Sequence, residues 1–349
     1  MSEQRVMLAE TVDRLFEELM ANGMPEMEHL GTSPLWQPIE DLGLTDVFLP
    51  ESEGGFGGCW QDAFVVFHLL GLHALPLPVG ETLIAKKLLR EAAINSPAGT
   101  ISIGSCTDAE LSGDGAKTLF SGRVSDVPWG GAVQHIVITC AADEREQLLL
   151  LDSAQGSLES RHSNEAGEPR DDMIFQNAVV SDLKSLPGGK DKALLYSALL
   201  RSAQISGALE GSLKATVAYV NQREQFGRPL SKFQAVQHQL ALLAEEASAV
   251  KCAAMAASRS QDHDSAEFEI AATKLRANRA VGIATSIVHQ AHGAIGFTRE
   301  HHLHYWTQRL WSWRSEFGND RYWSNRLGRQ VLAEGAAQFW ENLTARGDV

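Results

Sequence analysis

Arg223-Glu224-Gln225-Phe226-Gly227-Arg228-Pro229 separates two long stretches whose apolar residues recur at helical spacing, about Lys190 to Gln222 before it and Lys232 to Ser260 after it. Gly227 supplies a helix stop and Pro229 a helix restart, so neither needs a further role. Arg223 and Gln225 are harder to explain as punctuation. A planar guanidinium at a helix corner, with an amide beside it, suits a bidentate anion such as a pyrophosphate, although a corner salt bridge would use the arginine equally well. Two more helical stretches follow, about Ala266 to Gly293 and Asp320 to Arg346. Long helices with short connections predict an antiparallel four-helix bundle over residues 190–349.

Upstream of this bundle the pattern changes at the breaker Pro187-Gly188-Gly189. Residues 98–189 carry short β-rich pieces, Thr100 to Ile103, His135 to Thr139 and Gln147 to Leu151, separated by Gly, Asp and Pro, which predict a small barrel or sandwich. Residues 1–97 are helical again, with amphipathic runs at Thr11 to Ala21, Asp62 to Leu72 and Thr82 to Ala92, punctuated by Pro34, Pro38, Pro50, Pro76 and Pro78. The expectation is an α+β chain in three domains: helices, then strands, then a bundle.

At 349 residues, 44% hydrophobic and 21% charged, the chain is neither disordered nor fibrous. Its 30 Lys plus Arg against 44 Asp plus Glu leave a net charge of −14, which opposes binding to a phosphate backbone. Nucleic acid is therefore not an expected partner. Cys59, Cys106, Cys140 and Cys252 lie far apart with no C-x-x-C pair, so neither a disulfide framework nor a zinc site is written, and a reducing cytoplasm fits. The start of the chain mixes Glu3, Arg5, Glu10, Asp13 and Arg14 with apolar residues, and no apolar run approaches the ~20 residues that span a bilayer. No signal peptide and no membrane segment are expected.

Other motifs admit plain readings. Glu53-Gly54-Gly55-Phe56-Gly57-Gly58 has no buried strand leading into it and reads as a turn. Gln290 to Thr298 gives a bundle helix a glycine-rich end, where another backbone or a flat ligand could come close, though packing alone could demand the same. His289, His292, His301, His302 and His304 match no metal-ligand spacing. Trp306, Trp311, Trp313, Trp323 and Trp340 suit a subunit contact, a ligand wall or a bundle core. No G-x-S-x-G elbow is present, which argues against a hydrolase.

The run from Arg223 to Gln234, followed by Gln290-x-x-Gly293-x-x-Gly296-Phe297-Thr298-x-Glu300, closely resembles the two C-terminal signatures of the acyl-CoA dehydrogenase family. The stretch from Leu42-Gly43-Leu44 to Pro50-Glu51-x-x-Gly54-Gly55-Phe56-Gly57 looks like that family's first helical domain, and the order of helices, strands and bundle agrees over nearly the whole chain. The resemblance implies FAD chemistry, in which a carboxylate removes the proton next to a CoA thioester while the β-carbon delivers hydride to the flavin, giving a 2-enoyl-CoA. It also implies that Arg223, Gln225, Phe226, Phe233, Gln290 and Gly293 reach across a dimer interface to a neighbouring subunit's FAD, with Ala294 where a second glycine is usual.

Other family features are missing. Thr100-Ile101-Ser102-Ile103-Gly104 and Ser121-Gly122-Arg123-Val124-Ser125 stand near where the family's T-E-P and W-I-T segments hold the ring of the subunit's own flavin. The family's catalytic glutamate sits in an E-G-T turn; Phe317 falls in that slot by ungapped counting, and Glu316 is one place off. An alternative base position on the first bundle helix is taken by Ser197. Kept cross-interface motifs with lost own-site motifs resemble the degenerate subunit of heterotetrameric, steroid-type acyl-CoA dehydrogenases. That implies a homologous catalytic partner in an α2β2 assembly, an acyl-CoA substrate and an electron-transferring flavoprotein as acceptor. A self-sufficient homo-oligomer with Glu316 as base, and a non-enzymatic assembly subunit of the same fold, are the alternatives.

Overall fold

The computed structural model describes residues 3–21, 23, 35–113, 117–142, 145–263, 266–335 and 337–346; Pro34 lies outside them. Packing divides the chain into two units, Met1–Val66 with Leu75–Ser197, and Phe67–Ala74 with Ala198–Val349.

The first unit begins with α1 (Glu3–Met20), which buries Val12 and Phe16 and leaves Val6 and Met7 exposed among charged residues. Arg5 ties it to the start of α3 (Trp60–Leu72) through a 2.8 Å ion pair with Asp62, whose other oxygen accepts the Cys59 amide at 2.9 Å as a helix-start cap. Between them lies the short α2 (Gln37–Asp41). The glycine-rich stretch after it is a plain turn: Gly55 donates to Pro50 O at 3.0 Å and Gly57 to Leu49 O at 2.7 Å. Helix α4 (Val79–Glu91) docks on the strands through Thr82, whose hydroxyl both donates to and accepts from the Ile101 backbone, at 3.1 and 3.0 Å.

The strands are β1 (Ile101–Cys106), β2 (Glu110–Gly113), β3 (Thr118–Pro128), β4 (His135–Ala142), β5 (Arg145–Asp152), β6 (Gly156–Ser160), β7 (Arg170–Val179) and β8 (Asp182–Ser185). They form two four-stranded sheets, β1-β4-β5-β8 and β2-β3-β7-β6, so of the expected barrel or sandwich the structure has the two-sheet form. Among the described residues, the β1–β4 pair is the only parallel one within these two sheets. At Gly104 the sheets come so close that an added Cβ would lie 2.4 Å from Val124 Cγ1, which explains a glycine inside a buried strand.

The second unit is helical: α5 (Gly189–Gln222) from Ala198 onward, α6 (Gln234–Gln261), α7 (Glu267–His292), α8 (Leu303–Ser315), α9 (Asp320–Glu334) and α10 (Phe339–Ala345). The bundle core joins Ile205 and Leu209 of α5, Leu243 and Val250 of α6, Val281 and Val288 of α7, and Leu310 and Trp313 of α8. Helix α8 thus joins this core, and the expected fourth stretch from Asp320 to Arg346 is broken by Gly335 (φ +90°) into α9, which packs on α7 and buries Trp323, and α10. Segment Phe67–Ala74 crosses α5 backbone to backbone, since a Cβ on Gly207 would lie 1.8 Å from His68 O. No helix among the described residues is long and apolar enough to cross a membrane.

Candidate functional site

Where α5 ends, the chain doubles back in a two-residue hairpin: β9 (Glu224–Gln225) pairs antiparallel with β10 (Arg228–Pro229), Gln225 opposite Arg228. The connecting Phe226 and Gly227 both have positive φ, +55° and +73°, the geometry of a type I′ turn. Glycine adopts it freely; phenylalanine does so at a cost of about 1 kcal/mol. Phe226 is also 92% exposed. A strained aromatic left bare is poorly explained by folding alone and well explained by a surface that something else covers. Phe233 stands edge-on to Phe226 with centroids 6.2 Å apart and carries the Arg228 guanidinium 4.1 Å above its ring. Arg223 and Gln225 are exposed beside them.

The second motif lies at the same end of the bundle. Helix α7 stops at His292, Gly293 takes φ +64°, and a tight turn runs to Phe297. Gln290, Gly293 and Ala294 are exposed, as is Phe297, at 75%. Tyr219, one turn before the end of α5, links the motifs: its hydroxyl donates to His292 O at 3.3 Å, its ring stacks on His292 at 4.4 Å, and its carbonyl accepts the Arg223 amide at 2.8 Å. The histidines form a packed layer behind this surface. His292 Nδ1 donates to Val288 O at 2.8 Å, His301 stands edge-on to His292 at 4.6 Å, and His289 stacks on Phe297 at 4.4 Å. Burial holds all three below the ordinary histidine pKa of 6.5, and thus neutral at pH 7. Among the described residues no group of three His, Cys, Asp or Glu could hold a metal ion.

Glu316 lies elsewhere, just past α8. Its Oε2 accepts from Arg201 Nε at 2.7 Å, and Arg201, 1% exposed, also donates to Gln204 Oε1 at 2.6 Å. The Arg201 guanidinium sits 5.8 Å from the Trp313 ring and 5.4 Å from that of Phe317. Behind the turn, fully buried Lys274 donates to Asn278 Oδ1 at 2.7 Å and to the carbonyls of Trp313, Arg314 and Gly318 at 3.0, 3.1 and 3.2 Å. Phe317 has φ +52°, so the residue after Glu316 adopts the left-handed backbone for which a glycine would be the ordinary choice. Arg201 and Arg223 stand about 33 Å apart along the helix axis at ~1.5 Å rise per residue, so the candidate base and the exposed motifs occupy different places on one chain.

The segments near the expected ring-binding neighbourhood are internally satisfied. Thr100 is buried; its amide donates to Gln134 Oε1 and its hydroxyl accepts from Gln134 N, each at 3.1 Å. Ser102 donates to Pro128 O, Ser121 Oγ accepts the Asn177 amide at 2.9 Å, and Ser197 is buried. The tryptophans divide. Trp313 and Trp323 are core, Trp306 donates to Leu72 O at 2.8 Å, and Trp311 and Trp340 are exposed. Sequence reasoning missed Tyr219, Arg201 and Lys274. Arg201 had a signal, a lone charge inside an apolar helical stretch, whereas Lys274 stands among Glu269, Arg276 and Arg279 and had none.

Residues 191–332 match the acyl-CoA dehydrogenase C-terminal domain family. Over 350 aligned residues the chain is 30% identical to acyl-CoA dehydrogenase IpdE2 of Mycolicibacterium smegmatis, spanning 95% of this chain and 100% of that one. The chain belongs to the acyl-CoA dehydrogenase family. Among solved structures it is similar to a chain of the ChsE4–ChsE5 complex of Mycobacterium tuberculosis, with a TM-score of 0.83 at 20% identity over 96% of this chain and 98% of that one. A chain of a Tcur3481–Tcur3483 steroid ACAD variant gives a TM-score of 0.81 at 22% identity over 96% and 99%.

Proposed function

We propose that this chain is one subunit of an FAD-dependent acyl-CoA dehydrogenase that desaturates an acyl-CoA thioester between its α- and β-carbons. In this reading it lends Arg223, Gln225, Phe226, Phe233, Gln290, Gly293 and Ala294 to a flavin whose ring is held by a homologous catalytic subunit, in an α2β2 assembly. The observation that carries it is a contrast within the chain: Phe226 is strained and 92% exposed, whereas buried Thr100 and Ser102 already spend their polar atoms on the sheet. The residues present fit a flavin at the helix corner and do not fit its ring.

When bound, FAD supplies the acceptor for the hydride that leaves the β-carbon. Arg223 gives the pyrophosphate a bidentate cationic donor, and the amides of Gln225 and Gln290 add neutral donors beside it. Phe226 and Phe233 would supply apolar surface beside the cofactor and help exclude water. In this reading Glu316 serves as the carboxylate partner of Arg201 and not as the base. The base therefore comes from the partner. A steroid-derived CoA thioester is the substrate class, supported by the steroid ACAD among similar structures; an electron-transferring flavoprotein is the acceptor.

The test is to produce this chain alone and together with its homologous partner, and to follow flavin absorbance against protein through a sizing column. Colourless protein alone and a yellow hetero-oligomer together are expected; a yellow, active oligomer from this chain alone would overturn the reading.

One observation favours a second reading, a self-sufficient enzyme with Glu316 as base: Phe317 gives the turn after Glu316 the left-handed backbone of a glycine-containing turn. Glu316→Gln should then abolish turnover with flavin retained, whereas the shared-flavin reading expects unchanged turnover in the complex.

A further inference from the structure

Both exposed motifs sit at chain ends of long helices, where a backbone is least constrained, and a cofactor spanning them needs the two held in fixed register. Among the described residues the hairpin itself does not supply this: Gln225 Nε2 donates to its neighbour Glu224 O, and Arg228 is stacked on Phe233. Tyr219 stands one turn before Arg223, whose amide its backbone carbonyl accepts, and from that place on α5 its side chain reaches the second motif through the carbonyl and ring of His292. His292 directly precedes Gly293 and is itself fixed by its Nδ1–H bond to Val288 O and by the edge of His301.

We infer that Tyr219 is a positioning residue for flavin binding, one that clamps the Arg223 corner to the Gln290–Gly293 turn so that the donors of both meet one cofactor. The inference rests on the shared-flavin reading. Tyr219 touches no cofactor in this account; it acts through the two backbones it joins. Its ring and its hydroxyl divide the work. The stack on His292 sets the distance between α5 and α7, and the hydroxyl bond to His292 O sets where Gly293 begins to turn. Substitutions separate these contributions, because Tyr219→Phe keeps the stack and loses the bond, and Tyr219→Ala loses both.

The experiment uses the hetero-oligomer of this chain with its partner, stripped of flavin and titrated with FAD by the quenching of flavin fluorescence. One neutral hydrogen bond is worth about fivefold in affinity, so Tyr219→Phe should weaken FAD binding about fivefold and Tyr219→Ala about fiftyfold. Denaturation midpoints of the flavin-free complex should stay close to wild type for Tyr219→Phe. A double-mutant cycle supplies the readout that a purely structural tyrosine would not move: Tyr219→Phe and Gln290→Ala should be non-additive, since both act on the same turn. Wild-type FAD affinity in Tyr219→Phe, or strict additivity with Gln290→Ala, would overturn the inference. A colourless wild-type complex would overturn the shared-flavin reading beneath it, and so the two failures are distinguishable.

Discussion

Lys274 shows how much one side chain can hold. It is fully buried, it feeds the carbonyls of Trp313, Arg314 and Gly318 together with Asn278, and burial pulls its pKa down to about 7 against attraction from Glu316. Lys274→Met would strand those acceptors and unseat the Arg201–Glu316 turn, so a loss of about 3 kcal/mol is expected, read from denaturant unfolding. The sign with pH follows from linkage. The folded amine titrates below its ordinary 10.5, so the unfolded chain binds more protons between about 7 and 10.5, and stability rises with pH across that window. Unfolding midpoints at neutral and mildly alkaline pH should show that rise in the wild type, with a smaller rise in Lys274→Met. Phe226 makes the opposite case. Phe226→Asn, a residue that tolerates the left-handed region, should stabilise the isolated chain by up to about 1 kcal/mol while weakening its association with flavin and partner.

At the scale of elements, the histidine layer behind the Gln290–Gly293 turn predicts acid sensitivity. His289, His292 and His301 have their pKa values lowered by burial, and Tyr219, His302 and His304 are among the titratable groups around them. A lowered histidine favours folding fully above its unfolded pKa of 6.5 and loses that contribution as pH falls below it. Flavin retention by the complex should accordingly be complete above about pH 6.5 and decline on acidification, and His301→Phe should move the decline to lower pH. Elements also show where sequence reading stops. The hairpin corner and the end of α7 were legible because Gly227, Pro229 and Gly293 announce changes of backbone direction. Helix α8 was not, because its inner face carries Thr307, Arg309 and Ser312 among Leu303, Leu310 and Trp313, and those polar residues hide the apolar period. Arg201 escaped notice for the related reason that a buried charge is read from its partner, and Glu316 is distant in sequence.

At the scale of the whole molecule, the order of helices, strands and bundle followed from composition and periodicity, and the two-sheet middle followed from short β-rich pieces between Gly and Pro. That α8 also lines the bundle core did not follow, since that is decided by tertiary packing. The exposed end of the bundle gives a bulk prediction. Phe226 and Phe297 are 92% and 75% bare, so the chain produced alone should self-associate, and Phe226→Ser with Phe297→Ser should return it to a single species in light scattering. The same pair of substitutions should abolish the yellow complex.

The bare Phe226 turn has a cellular consequence. Chaperones and quality-control proteases act on exposed apolar surface, and in the shared-flavin reading a copy of this chain without its partner carries such a tag on its surface. Surplus copies should therefore be short-lived, and the steady-state amount of the chain should follow the supply of its partner however strongly its own message is translated. A pulse-chase in cells with and without the partner would show it: the half-life should lengthen when the partner is present and should become indifferent to it in Phe226→Ser.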